Sequence, residues 1–262
     1  MVPSMRSFCY RCRRPVENCL CALVQPMDCD IKLVVLMHPH ERKKVKNGTG
    51  RLAALSFRNA EIIEGISFDA DKRVAALLAD QQYIPYILYP GPGARDLSKG
   101  ELDKTAFASP EFAGRTLLVF VVDATWPLAK KMMRESRILQ TLPRLMFTPS
   151  HKSRWIIKRQ PDELCLSTIE AVHELMSALA ASGICRYERP GQLLAAFEAM
   201  QSFQIACTND PDRPSRHGAP PENTAGTDPG NSKSTPYTRR RRPPSKKTRA
   251  LLWREQDTEE QE

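Results

Sequence analysis

Four cysteines near the start of the chain, Cys9, Cys12, Cys19 and Cys21, follow the spacing C-x2-C-x6-C-x-C. Two close thiolate pairs can converge on one tetrahedral ion with no coordination position left over, which predicts a structural zinc knuckle. Arg11 lies within the first pair and Arg13 and Arg14 between the pairs, where their charge offsets a four-thiolate site and can also touch nucleic-acid phosphates. The plainer alternative is four unliganded thiols in a leader. Cys29, Cys165, Cys185 and Cys207 stand alone and read as core thiols.

Further along, Asp123-Ala124-Thr125-Trp126 follows the most apolar run of the chain. A carboxylate beside a large aromatic ring, in a partly desolvated pocket, suits a general base. Equally open at this point is a structural role, with Asp123 or Thr125 capping the next helix and Trp126 filling core. His38, Pro39, Glu41, Lys43, Lys44, Lys46 and Asn47 form a polar stretch that offers cations for phosphate and imidazole or amide hydrogen bonds. Ser167-Thr168-Ile169-Glu170 fits a capping box, which by itself explains a helix start. Free N–H groups there also suit the carboxylate of an amino-acid-like ligand, and Lys158, Arg159, Gln160 and Pro161 precede it. The turn Tyr89-Pro90-Gly91-Pro92-Gly93 is no dinucleotide loop, because Asp96 stands where the third glycine belongs. P-loop, H-E-x-x-H and G-x-S-x-G patterns are absent, which excludes the commoner NTPase, metalloprotease and hydrolase classes.

The elements that would position these residues alternate. Strands are predicted at 31–37, 61–65, 83–89, 117–122 and 144–147, and helices from Arg51, at 72–81, from Pro127, at 167–182 and at 190–206. Residues 38–50 read as a basic loop. The 117–122 run shows no polar alternation, so both its faces should be covered, as in a central parallel strand. This pattern predicts an α/β fold with a mostly parallel sheet and flanking helices, whose ligands bind beyond the carboxyl ends of the strands.

The 262 residues are 41% apolar, enough for a core, and carry a net charge of +9 with pI near 9.2, which favours polyanionic partners. Three segments are expected: a zinc-binding stretch at 1–30, an α/β domain at 31–207 and a disordered tail at 208–262. The tail is rich in Pro, Gly, Ser and charge, and holds a basic block at 239–242 with Lys246, Lys247 and Arg249. That block either adds nucleic-acid affinity or serves solubility alone. With no apolar signal region and no run long enough to span a bilayer, a cytoplasmic protein is expected.

Taken together, the four cysteines, His38-Pro39 with Glu41, Asp123-Ala124-Thr125-Trp126 with Ala129 and Met132, and Ser167-Thr168-Ile169-Glu170-Ala171 resemble the DTW-domain family over roughly residues 8–205. The resemblance implies a SPOUT-like, knotted fold and a tRNA-uridine aminocarboxypropyltransferase activity. It further implies that S-adenosylmethionine is the group donor and that 3-(3-amino-3-carboxypropyl)uridine and methylthioadenosine are the products. The sequence leaves the oligomeric state open, with a monomer favoured. On that reading Asp123, Thr125 and Trp126 form the catalytic group, with Asp123 as the base. Tyr89, Pro90, Gly91, Pro149, Ser167, Thr168 and Glu170 hold the donor, and zinc sits on the four cysteines. His38, Lys43, Lys44, Arg154, Lys158 and Arg159 face tRNA. Alternatives are a SPOUT-type RNA methyltransferase and a non-catalytic zinc-containing RNA-binding protein. The chain departs from the family pattern at Ala124, where Gly is usual; a positive φ there would strain Asp123.

Overall fold

The computed structural model describes residues 7–210, except 46, 108, 110, 111, 113, 159, 161 and 163 and the side chains of Lys44 and Phe107. The chain divides into two units, Met1–Ala206 and Cys207–Glu262. The expected tail lies almost wholly outside the described residues.

In chain order the elements are β1 (Lys32–Met37), α1 (Pro39–Lys44), α2 (Gly50–Leu55), β2 (Ala60–Glu64), α3 (Lys72–Ala79), β3 (Tyr83–Leu88), β4 (Arg95–Asp96), α4 (Lys104–Phe107), β5 (Thr116–Asp123), α5 (Trp126–Glu135), α6 (Arg137–Gln140), β6 (Arg144–Met146), α7 (Thr168–Ala181) and α8 (Gly191–Asn209). Among the described residues six strands form one sheet, ordered β2-β1-β5-β3-β6-β4, and every pairing is parallel.

The unbroken apolar runs of β1 and β5 have the consequence expected of them. Leu117, Val119 and Val121 of β5 and Leu33 of β1 enter one core with Leu52, Ile169, Leu175 and Phe197 of α2, α7 and α8. The alternate residues Leu118 and Phe120, with Val34 and Leu36, enter a second core with Val74, Met132 and Leu139 of α3, α5 and α6. A strand with apolar residues at every position is stable only when both faces leave water, and each such buried side chain contributes roughly 1.5–3 kcal/mol. Helix ends are set locally. Asp71 caps α3 by accepting from the N–H groups of Arg73 and Val74, and Ser167 and Glu170 form the capping box of α7.

Three features differ from the sequence reading. The basic loop after β1 contains α1, started by His38, whose Nδ1 accepts from the His40 N–H at 3.0 Å, and by Pro39 at the first helical position. The Gly/Pro turn leads into the two-residue strand β4, too short for any periodicity to show. The knuckle is packed into the main core, since Leu20, Val24 and Met27 join the α2/α7/α8 cluster and Met27 bridges to Phe57. No described helix is long and apolar enough to cross a membrane.

Candidate functional site

The strand register gathers the candidate residues on one edge of the sheet. Asp123 ends β5 and pairs with Met37, the last residue of β1. Val121 pairs with Leu88 of β3, and Leu88 with Leu145 of β6. Tyr89-Pro90-Gly91 therefore leaves β3 level with Asp123, and Pro149 follows β6 on the same edge. The carboxyl edge of a parallel sheet is where ligands bind, because strands stop there and loops diverge.

Asp123 is 3% exposed. Its Oδ1 accepts a 2.7 Å hydrogen bond from the Thr168 hydroxyl; Oδ2 lacks a well-formed hydrogen bond among the described residues, and the backbone N–H of Gly50 approaches the carboxyl and favours its ionised form. Burial pushes its carboxyl pKa from an ordinary 3.8 up to about 6, against the opposing pull of the Thr168 hydrogen bond. The carboxylate of Glu41, also buried and raised by burial, adds to the upward shift, and Lys158 opposes it. The Lys158 ammonium lies 4.7 Å above the Trp155 ring, where loss of water lowers its own pKa. A buried carboxylate with one oxygen lacking a well-formed hydrogen bond can accept a proton from a ligand placed against it.

Gly50, at the start of α2, belongs to this arrangement, and the sequence reading missed it. A Cβ there would stand 2.3 Å from Asp123 Cγ, so only glycine lets the helix lie against the carboxylate. The signal was present in the G-T-G triplet at 48–50 but reads as a loop until β5 is known to lie beside it. Ala124 takes an ordinary conformation, since Arg13 is the only non-glycine described residue with positive φ. The Gly-to-Ala departure brings no strain to Asp123.

The structure distributes the other predicted residues unevenly. Thr168, expected from the sequence beside the donor, donates its hydroxyl to Asp123. Thr125 takes the N-cap position of α5 but makes no side-chain cap. Trp126 is half-buried, with its indole against the buried Cys165 thiol. Glu170 is fully buried and accepts from the Arg154 N–H at 2.6 Å, the Ser153 hydroxyl at 2.9 Å, the Ser167 N–H at 2.8 Å and the Ser167 hydroxyl at 2.6 Å. It straps the 153–154 segment to α7 and presents no surface to a ligand. His38 is likewise buried and engaged in capping, while Lys43 is exposed on α1. Arg154 reaches Glu198 on α8 at 2.9 Å. The Lys44 side chain and Arg159 lie outside the described residues.

On the β3/β6 side, Tyr89, Gly91 and Arg144 come together. The Arg144 guanidinium lies 5.8 Å from the Tyr89 ring centroid, and a Cβ on Gly91, whose φ is +145°, would meet its Nη1 at 2.3 Å. An aromatic face, a guanidinium and a glycine turn form a cradle with charge for a carboxylate. The sequence marks Arg144 only as a strand residue.

The four N-terminal cysteines also converge. Their sulfurs all lie within 4.8 Å of one another, with Cys9 and Cys21 at 3.6 Å and Cys12 and Cys19 at 3.8 Å. Zinc–sulfur bonds of about 2.3 Å in a tetrahedron require sulfur separations of about 3.8 Å, so the group fits a zinc ion. The turn that carries the first pair is held by the Arg13 N–H donating to the Cys9 carbonyl at 2.7 Å and by the Cys9 N–H donating to the Arg14 carbonyl at 2.8 Å.

These features define a parallel α/β protein with a candidate site at the carboxyl edge of its sheet and an accessory four-cysteine cluster suited to metal. Residues 6–205 match the DTW domain, and the chain belongs to that family. It is 27% identical over 210 residues to tRNA-uridine aminocarboxypropyltransferase 2 of Macaca fascicularis and 28% identical over 211 residues to the protein of that name in Mus musculus. Each alignment covers 78% of this chain and 68% of the relative. A protein of the same name in Drosophila melanogaster is 31% identical over 183 residues, covering 68% of both chains. No solved structure gives a significant match.

Proposed function

We propose that this protein is a tRNA-uridine aminocarboxypropyltransferase, moving the 3-amino-3-carboxypropyl group of S-adenosylmethionine to N3 of a tRNA uridine. The names of its relatives support the reaction class, and the observation that carries it to this chain is the state of Asp123. The N3–H of uridine is weakly acidic, so N3 becomes a competent nucleophile only as a base removes its proton. Asp123 supplies that base: Thr168 fixes Oδ1, Oδ2 receives the proton, and the raised pKa makes the carboxylate a better acceptor than an exposed one. Trp126 and Thr125, at the start of α5, shape the space beyond it.

The Tyr89–Arg144–Gly91 cradle suits the donor, with the Tyr89 ring against a flat or apolar part and Arg144 against its carboxylate. Pro149 and the Ser167 end of α7 border the same edge. S-adenosylmethionine, when bound, supplies an electrophilic methylene carbon on a sulfonium and leaves as methylthioadenosine. Orientation decides between this transfer and methyl transfer, because the methyl carbon on the same sulfur is also electrophilic. The four cysteines hold a structural zinc, Lys43, Arg154 and Lys158 contribute to tRNA contact, and the chain acts as a cytoplasmic monomer with the knotted path of SPOUT enzymes.

Mass spectrometry of nucleosides from unmodified tRNA incubated with the protein and S-adenosylmethionine tests the proposal. A uridine that gains an aminocarboxypropyl group, with methylthioadenosine released, is the expected result. A methyl gain, or no change with a competent tRNA pool, overturns it.

A further inference from the structure

On the β2 side of Asp123 a cleft of about 570 Å³ is lined by Arg13, Pro39, Arg42, Arg51, Ile62, Glu64 and Arg73. Four guanidiniums face it with a single carboxylate. They come from four elements that the sequence keeps apart: the cysteine turn, α1, α2 and α3. Two of them are held in reserve by neighbouring acids, Arg42 by Glu64 and Arg73 by Asp71 at 3.3 Å. Arg51 is half-buried and makes no hydrogen bond or ion pair with a described residue; burial lowers its pKa, the nearby charges of Arg13 and Arg42 lower it further, and those of Asp123 and Cys12 oppose them. Four guanidiniums around a single cleft carboxylate leave a net positive charge there, which an anion entering the cleft would offset. Arg13 adds a further sign of construction, since its φ of 57° places a non-glycine residue in the left-handed region.

The cleft adjoins the proposed reaction centre. Arg51 directly follows Gly50, the residue packed against the Asp123 carboxyl. Pro39 follows the end of β1, and Glu64 is the end of β2, so the cleft continues the same carboxyl edge.

We propose that this cleft holds the phosphodiester backbone of the RNA strand beside the nucleotide presented to Asp123, with Arg51 and Arg13 as the principal phosphate contacts and Arg42 and Arg73 completing the track. This rests on the reading of the protein as an enzyme acting on tRNA. Guanidiniums bind phosphate oxygens through paired N–H groups, and Arg42 and Arg73 are exposed while the Glu64 and Asp71 carboxylates they pair with are half-buried. The cysteine turn thereby acquires a second role, since a bound zinc ion would hold Arg13 at the mouth of the cleft.

The test compares wild-type protein with Arg51→Gln, Arg73→Gln and the double variant, each confirmed as folded by circular dichroism, for binding of unmodified tRNA by fluorescence anisotropy between about 50 and 200 mM salt. The double variant is expected to lower affinity about tenfold or more at low salt and to flatten the slope of log K against log salt by about 0.7–0.9 per lost contact. Binding of S-adenosylmethionine by calorimetry without RNA is expected to stay at the wild-type value. Where Arg51→Gln does not fold, Arg42→Gln with Arg73→Gln serves instead, because both are exposed. Wild-type affinity and slope in the folded double variant overturn the inference and leave the proposed reaction standing. Failure of wild-type protein to bind any tRNA overturns both together. Competition by uridine monophosphate as effective, mole for mole, as competition by tRNA would show a mononucleotide pocket and overturn the strand track.

Discussion

Replacing Asp123 with Asn removes the proposed base while keeping its shape. Thr168 can still donate to Oδ1, but the amide nitrogen then occupies the position of Oδ2, which lacks a well-formed hydrogen bond among the described residues. Two opposing effects on stability follow. Raising a buried carboxyl from 3.8 to about 6 means that the folded state holds its proton more tightly than the unfolded chain. The stabilisation is therefore complete below about pH 4 and is lost as pH rises through about 6, so ionised Asp123 costs about 3 kcal/mol at pH 7. Asparagine removes that cost but leaves a buried N–H unpaired, at about 1–3 kcal/mol. The net change in unfolding free energy should fall within about 2 kcal/mol, so the variant folds. Its turnover should drop by at least about 100-fold, with S-adenosylmethionine affinity near the wild-type value. In the wild type the base is about 90% ionised at pH 7 and about 10% at pH 5, so single-turnover modification should slow roughly tenfold between them. Quenched-flow reactions followed by nucleoside mass spectrometry measure both. Unchanged turnover in Asp123→Asn, or a flat acid limb, would refute the role given to this carboxylate.

Other changes probe its surroundings. Thr168→Val removes the hydrogen bond that opposes the upward shift of Asp123, so the acid limb of the pH profile should move to higher pH. Gly50→Ala forces the Asp123 carboxyl from its position and should cut turnover at least about tenfold, visible as lowered kcat with tRNA binding retained. Glu170→Gln weakens a carboxylate that four donors reach, and should lower stability by about 2–3 kcal/mol in urea titrations. Elemental mass spectrometry should find about one zinc ion per chain, and Cys12→Ser should release it with a fall in Tm.

Fold class was legible because its signals are local. The apolar runs of β1 and β5 have no polar face, which forces burial on both sides, and the punctuation between them sets the alternation of strands and helices. The C-x2-C-x6-C-x-C spacing brings four sulfurs within reach of one ion, because both pairs are short and so is the turn between them. Asp123 was readable for a similar reason, since a carboxylate at the end of a central strand must sit on the ligand edge of a parallel sheet. Short elements escaped: α1 and β4 span too few residues for a period to appear.

What only the tertiary structure decided is which polar groups meet. Thr168 stands 45 residues from Asp123 and Gly50 stands 73 residues from it, yet one donates to the carboxyl and the other makes room for it. Nothing in the S-T-I-E capping box distinguishes a threonine that faces a ligand from one that faces a neighbouring strand end. Packing of α7 and α2 over β5 makes that choice. The arginine cleft arises in the same way, from four guanidiniums on four elements whose convergence follows from sheet order and the docking of the cysteine turn. Periodicity reports the face a residue presents within its own element; the partner opposite that face depends on long-range packing, which a single chain's local pattern does not encode.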